Sequence, residues 1–240
     1  MQKSKSFNVQ YALLNLSKNF EIISNLFFAN NKGNYFNNFQ ISQNQTLITN
    51  FYLPEGNNNL ISNFSISKYF VPIKGTMKFR SNLSKNWYKN IVNNSALRNN
   101  KTSILTTEIF YKTKIKRKIV LDNSITNHLM QSKSDHFFKV SNIAISNNFQ
   151  LAYNISEKGY FSVTNDFFIP NLNQRNEFYV FFDAVANFKT KKKNYDFTFK
   201  LKNITNTKSI SQFQTLDYAT SFFKNDLLTR HFIFCISRNF

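Results

Sequence analysis

Tyr195-Asp196-Phe197-Thr198-Phe199-Lys200-Leu201-Lys202 alternates apolar and polar side chains without a miss. That two-residue period belongs to a β-strand with one apolar face and one wet face. The end of the sequence keeps the same step, with Phe232, Phe234, Ile236 and Phe240 at even spacing. The region from Phe178 to Phe240 therefore reads as strands of about nine residues or more, the length that crosses a bilayer.

The same period runs back through the chain. Ile73, Gly75, Met77, Phe79, Ser81 and Leu83 form one face, and Lys74, Thr76, Lys78, Arg80 and Asn82 form a cationic one. Phe149, Leu151, Tyr153 and Ile155 alternate with Gln150, Ala152, Asn154 and Ser156, while Leu105 to Tyr111 alternates less cleanly because Ile104 and Phe110 fall on the opposite face. Extending this reading gives about thirteen strands, each roughly 9 to 15 residues long. Tight turns are expected near Ser17 to Asn19, Ser42 to Gln45, Tyr69 to Pro72, Lys114 to Arg117, Asn147 to Asn148 and Lys191 to Asn194. Longer connections are expected at Asn31 to Tyr35, Pro54 to Asn58, Asn86 to Lys101, Gln131 to Asp135, Gly159 to Asn176 and Thr205 to Asp226. A soluble β-sandwich or solenoid also alternates. Strand length and the short-turn, long-loop asymmetry favour an all-β, antiparallel up-and-down transmembrane β-barrel.

Composition bounds the function. The 240 residues are 42% apolar, with 29 Phe and 11 Tyr against 4 Gly and 1 Trp. The net charge of +19 raises the question of a polyanion partner. Its two dense runs, Lys112 to Lys118 and Lys189 to Lys193, fall between strand-like segments and carry no nucleic-acid-reading motif, so nucleic acid is not the expected partner. Cys235 is the single cysteine, which excludes an internal disulfide and a Cys-based metal site. No apolar run reaches the length of a membrane-spanning helix.

Enzyme chemistry finds no foothold. His128, His136 and His231 lack metal spacing, although a hairpin between His128 and His136 would allow those two to approach each other. Asp122, Asp183 and Asp196 sit on separate expected strands without a partner base, and no phosphate-cradling loop is present. No catalytic residue, cofactor or metal is expected.

The run Asn57 to Thr76, NNNLISNFSISKYFVPIKGT, resembles the strand, turn and strand of TonB-dependent outer-membrane receptors of Bacteroidetes type. Phe197 to Lys208, FTFKLKNITNTK, is similar to the "NLFN-x-K" segment of their penultimate strand, with Ile204-Thr205 in place of Leu-Phe. Leu227 to Phe234 resembles the start of their final strand, although Arg238 stands where an apolar residue is usual. The resemblance implies the C-terminal part of a larger receptor barrel of about twenty-two strands, without plug domain or signal peptide in residues 1–240. It implies residence in the cell outer membrane and partnership with outer-membrane lipid and the barrel-assembly machinery. An energy-coupling inner-membrane complex, acting through an N-terminal part, and a substrate-binding lipoprotein complete the implied partners.

On that reading Phe79, Phe197, Phe199, Leu201 and Phe234 face lipid. Lys74, Lys78, Arg80, Lys200 and Lys202 face the lumen together with Glu108 and Asp196, and Phe232, Phe234, Ile236 and Phe240 form the terminal barrel-assembly signal. The expected function is part of a receptor and transporter for a large nutrient such as a glycan, peptide or iron chelate. Two alternatives stay open: a basic soluble β-rich protein that binds nucleic acid or another polyanion, and a non-functional remnant of a receptor gene.

Overall fold

The computed structural model describes residues 3–42, 45–115, 118–135, 137–156, 158–173, 177–190, 195–215 and 220–238. It is all-β, with thirteen strands: β1 (Lys3–Asn15), β2 (Phe20–Ile41), β3 (Thr46–Phe70), β4 (Gly75–Val92), β5 (Arg98–Ile115), β6 (Ile119–Ser134), β7 (Phe137–Ser156), β8 (Gly159–Ile169), β9 (Tyr179–Lys189), β10 (Tyr195–Lys202), β11 (Ser209–Thr215), β12 (Thr220–Asp226) and β13 (His231–Arg238). Eleven of them form one up-and-down sheet in the order β1 to β10 and then β13, while β11 and β12 pair only with each other. Consecutive wall strands run antiparallel throughout. The architecture is an open, partial barrel.

Register determines which side chains share a face, because directly opposed residues project to the same side. Phe64 opposes Ser81, Phe79 opposes Ile109, Ile109 opposes Ile125 and Phe199 opposes Phe234. Followed strand by strand, these pairings place Phe7, Tyr11, Leu26, Phe64, Phe79, Ile109, Ile125, Leu151, Val163, Phe182, Phe197 and Phe234 on one face. The opposite face carries Asn8, Asn25, Asn63, Arg80, Glu108, Asp122, Gln150, Thr164, Asp183 and Lys200 by the same register.

The apolar face is not a core. Among the described residues only Ala29 and Phe36 are buried hydrophobics, whereas Phe7, Ile109, Phe232 and Ile236 are 50 to 61% exposed. A soluble sheet of this size would cover that face with a second layer. Among the described residues no second layer covers it.

Several expected connections are strand instead, and strand lengths run from 7 residues in β11 and β12 and 8 in β10 and β13 to 25 in β3, outside the expected 9 to 15. Asn31 to Tyr35 lies within β2 and Pro54 to Asn58 within β3. The ladder shifts register between Lys32 and Asn34, where Gly33 has φ of 67°. A bulge sets Gly33 on one strand against Pro54 and Glu55 on the other without ending either, and Pro needs no ladder donor there. Asn147 to Asn148 is mid-strand, paired on both sides by β6 and β8. Gln131 to Asp135 is mostly the end of β6, and Gly159 to Asn176 is mostly β8, whose alternation is broken by Asn165 on one face and by Tyr160 and Phe168 on the other. Asn86 to Lys101 shrinks to residues 93–97, and Thr205 to Asp226 contains the β11–β12 hairpin. The Lys191 to Asn194 turn, and parts of those at Ser42 and Lys114, lie outside the described residues.

The connections alternate between two ends, those after β1, β3, β5, β7 and β9 at one and those after β2, β4, β6, β8 and β10 at the other. The expected asymmetry holds only in part: the turn at Ser42 to Gln45, expected with the short turns, and the short step from Ser134 to Phe137 lie at the other end, where only the connections after β8 and β10 are long. Arg238 of β13 opposes Tyr195, so the last strand finishes at the short-turn end.

At the long-loop end β2 and β3 continue past the bulge and do something the sheet order does not anticipate. Asn38 and Phe39 of β2 pair in parallel with Ile91 and Val92 of β4. Below the bulge the order is β2–β3–β4, and above it β3–β2–β4, so the hairpin has rolled over about its long axis. Asn93 and Asn94, with φ of 50° and 55°, seal this seam. The Asn93 N–H donates to the Phe39 carbonyl at 2.8 Å, its Oδ1 accepts from the Ile41 N–H at 2.7 Å, and Asn94 Oδ1 accepts from Asn38 Nδ2 at 2.9 Å. Phe36, 3% exposed and 6.2 Å from the Phe51 ring, fills the fold so formed.

Candidate functional site

The polar face is where side chains with chemistry converge, and cross-strand pairs organise it. Arg80 on β4 directly opposes Glu108 on β5, with Nη1 3.1 Å from Oε2. Lys112 on β5 opposes Asp122 on β6 at 3.2 Å, and Lys189 on β9 opposes Asp196 on β10 at 3.3 Å. Lys202 Nζ lies 2.6 Å from Asp183 Oδ2. Acidic residues of this strongly cationic chain are thus spent neutralising neighbours along the wall. Such half-exposed pairs fix register more than they add stability.

The expected lumen residues are mostly where the alternation puts them. Lys78 and Arg80 share the polar face of β4, and Lys200 and Lys202 share that of β10. Lys74 does not join them. It sits in the 71–74 turn with φ of 45°, and the strand starts one residue later at Gly75. The two cationic groups stand on strands separated by five others in the sheet order, so they are not one cluster. Phe232, Phe234 and Ile236 lie on the apolar face of β13 against Leu201, Phe199 and Phe197, while Phe240 and His136 lie outside the described residues. Cys235 is exposed on the polar side, opposite Thr198.

The densest polar construction is at the loop end of β9 and β10. Asp183 holds Lys202 through Oδ2 and accepts the Asn203 N–H through Oδ1 at 2.7 Å. Asn203, buried with φ of 51°, donates from Nδ2 to the carbonyls of Thr207 at 2.8 Å and Leu228 at 2.9 Å. Its Oδ1 accepts the Thr207 N–H at 2.9 Å. Thr205 and Thr207 hydroxyls both donate to the Val180 carbonyl, at 2.6 and 2.8 Å. Asn206 Oδ1 takes the Arg230 N–H at 3.1 Å. One loop is thereby tied at its departure, middle and return.

This knot positions the β11–β12 hairpin. Tyr179, at the start of β9, accepts the Ser211 N–H at 2.9 Å on its hydroxyl, which donates to Glu177 at 3.1 Å. The hairpin leans over the polar face, with Gln212 and Phe223 approaching residues of β6 and β7. The sequence names Asp183 only as a carboxylate without a partner base, and Asn203 only within the receptor-like run 197–208. The pattern Asn203-Ile204-Thr205-Asn206-Thr207 carries the turn chemistry, since Asn tolerates positive φ and bonds its own backbone. That Asp183 is its partner follows only from strand pairing.

No protein-family model matches the chain, and no curated protein or solved structure matches it.

Proposed function

We propose that the chain is a wall sector of an outer-membrane receptor that imports a large nutrient with TonB-type energy coupling. The observation that carries the reading is the uncovered apolar face, continuous across eleven strands. Water does not tolerate a contiguous apolar surface of that extent on a monomer, whereas a bilayer requires one.

Dimensions support it. From Met77 to Trp87 the Phe79 face of β4, which also carries Ser81 and, near its loop end, Lys85, measures about 33 Å at about 3.3 Å per residue. At a strand tilt of about 40° this is about 25 Å along the barrel axis, the height of an outer-membrane apolar band. Cation and ring pair at the ends of that band: Lys68 over Phe70 at 5.2 Å, Arg238 over Tyr195 at 5.6 Å, and Lys101 over Trp87 at 5.6 Å. Long basic side chains beside aromatic rings are the arrangement favoured where hydrocarbon meets headgroups.

Strand polarity adds a constraint. Eleven alternating strands leave β1 and β13 running in the same direction, both with a free edge. Direct closure between them would make a parallel seam, so antiparallel closure takes an odd number of further strands. Two copies in one membrane orientation would meet in parallel seams as well. The sector is therefore read as one part of a larger wall, which agrees with the resemblance of residues 57–76 and 197–208 to receptor barrels. The nutrient class, a glycan, peptide or iron chelate, rests on that resemblance alone.

Cell fractionation with an antibody to the C-terminal peptide tests this. The expected result is a band in the outer membrane that only detergent extracts. A band in the soluble fraction that elutes in plain buffer and binds polyanions steeply with salt overturns it.

A further inference from the structure

The space between the β11–β12 hairpin and the wall is a cavity of about 480 Å³. Its floor is Met130, Val140 and Ala144 with His128 and Asn142, all on the polar face of β6 and β7, and Phe168 closes one side. Gln212 and Phe223, directly opposed on the hairpin, form the roof.

Its lining sets it apart. Among the described residues no Lys, Arg, Asp or Glu lines it, in a chain with 31 basic residues. Two other recesses are lined by Lys101 and Lys133, joined by Lys89 and Asp135 in one and by Lys139 in the other. Beside these charged hollows, the one beneath the hairpin shows no charged side chain among the described residues. His128 is held in orientation by Thr106, whose Oγ1 is 3.0 Å from Nδ1.

We propose that this cavity binds a small uncharged amphiphilic molecule, with an aromatic or aliphatic body and a hydroxyl or amide edge, between wall and hairpin. Met130, Val140, Phe168 and Phe223 bury the body, and Asn142 and Gln212 meet the polar edge. Its volume falls within the range of small-molecule sites, mostly apolar with a few placed polar groups, and is too small for a large nutrient. The roof suits a movable cover, because β11 and β12 take their strand pairing from each other and are anchored at the base by Tyr179 and the Asn203 loop. The site goes beyond the transport reading and does not depend on what closes the wall.

Fluorine NMR titration of the full chain in non-ionic detergent tests it, with para-fluorophenol as the neutral probe, para-fluorobenzoate as the anionic one, and empty micelles as baseline. Saturable binding of the phenol is expected, weakened about ten-fold or more by Ala144→Phe, which fills the floor, and about five-fold by Phe223→Ser, which strips the roof. Phe223 is half-exposed on the hairpin and outside the wall, so its variant leaves the sheet intact if the floor variant misfolds. The benzoate is expected to respond to salt and to neither substitution. Phenol binding no greater than the micelle baseline, or unchanged in both variants, overturns the proposal. Should the chain prove soluble without detergent, the same titration runs in buffer and the transport reading alone falls.

Discussion

Two hairpins rise from the same end of the wall, and they are held by different means. The distal β2–β3 hairpin stays in the ladder: its strands run on through a bulge, roll over, and dock by backbone on β4. The β11–β12 hairpin leaves the ladder and is suspended from side chains, chiefly Asn203, Asp183 and Tyr179. Backbone pairing is nearly independent of residue identity, so the first tolerates an asparagine-rich sequence. A suspension of side chains requires particular residues, and the second is correspondingly vulnerable at single positions.

The largest effect should come where the backbone-held hairpin does rely on a side chain. Phe36→Ala empties its only deeply buried ring among the described residues, and a loss of about 3 kcal/mol is expected, read as earlier unfolding of that hairpin in hydrogen exchange. Protection of the β2–β3 amides unchanged by the substitution would mean that the seam with β4 holds the hairpin without the ring.

Asn203→Ala comes next. It removes three side-chain bonds to backbone at 2.8 to 2.9 Å and puts a Cβ residue without polar compensation at positive φ. About 2 kcal/mol is expected, confined to β11–β12, with Phe223 and Gln212 becoming more accessible to protease. Loss of protection across β9 and β10 instead would show that the knot supports the wall and not the hairpin.

Gly33→Ala should cost about 1 kcal/mol through the left-handed backbone at the bulge, seen as a weaker β2–β4 seam. The smallest change is expected on the wall between them. Arg80→Gln paired with Glu108→Gln should shift the urea midpoint by less than about 1 kcal/mol equivalent, because both side chains reach solvent. A larger shift would move the wall's ion pairs from register marks to supports.

Much of the wall was legible in the sequence, for a physical reason: a sheet with one face in each environment imposes the period of two on every strand. Phe197 to Leu201 and Met77 to Leu83 show it directly, and their faces are as the alternation assigns them. The expected total of about thirteen strands agrees with the fold, yet the partition differs. β2, β3 and β7 were each divided at Asn, Gly or Pro, and β8, β11 and β12 were read as loop. Residues that end a strand in isolation do not end one whose backbone is paired on both sides or bulged. The knot at Asp183 and Asn203 was only half legible: Asn203 to Thr207 carries turn chemistry, but Asp183 is brought to it by β9–β10 pairing and has no local signature. The cavity beneath the hairpin was opaque for the same reason, its roof being some eighty residues from its floor along the chain.

The seam between β2 and β4 also makes the hairpin depend on its neighbours. The parallel partner of β2 lies two strands further along the chain, so the seam exists only where β3 has turned back and β4 lies beside it. The rolled hairpin is therefore a clasp, and a wall with β4 missing would leave it hanging open.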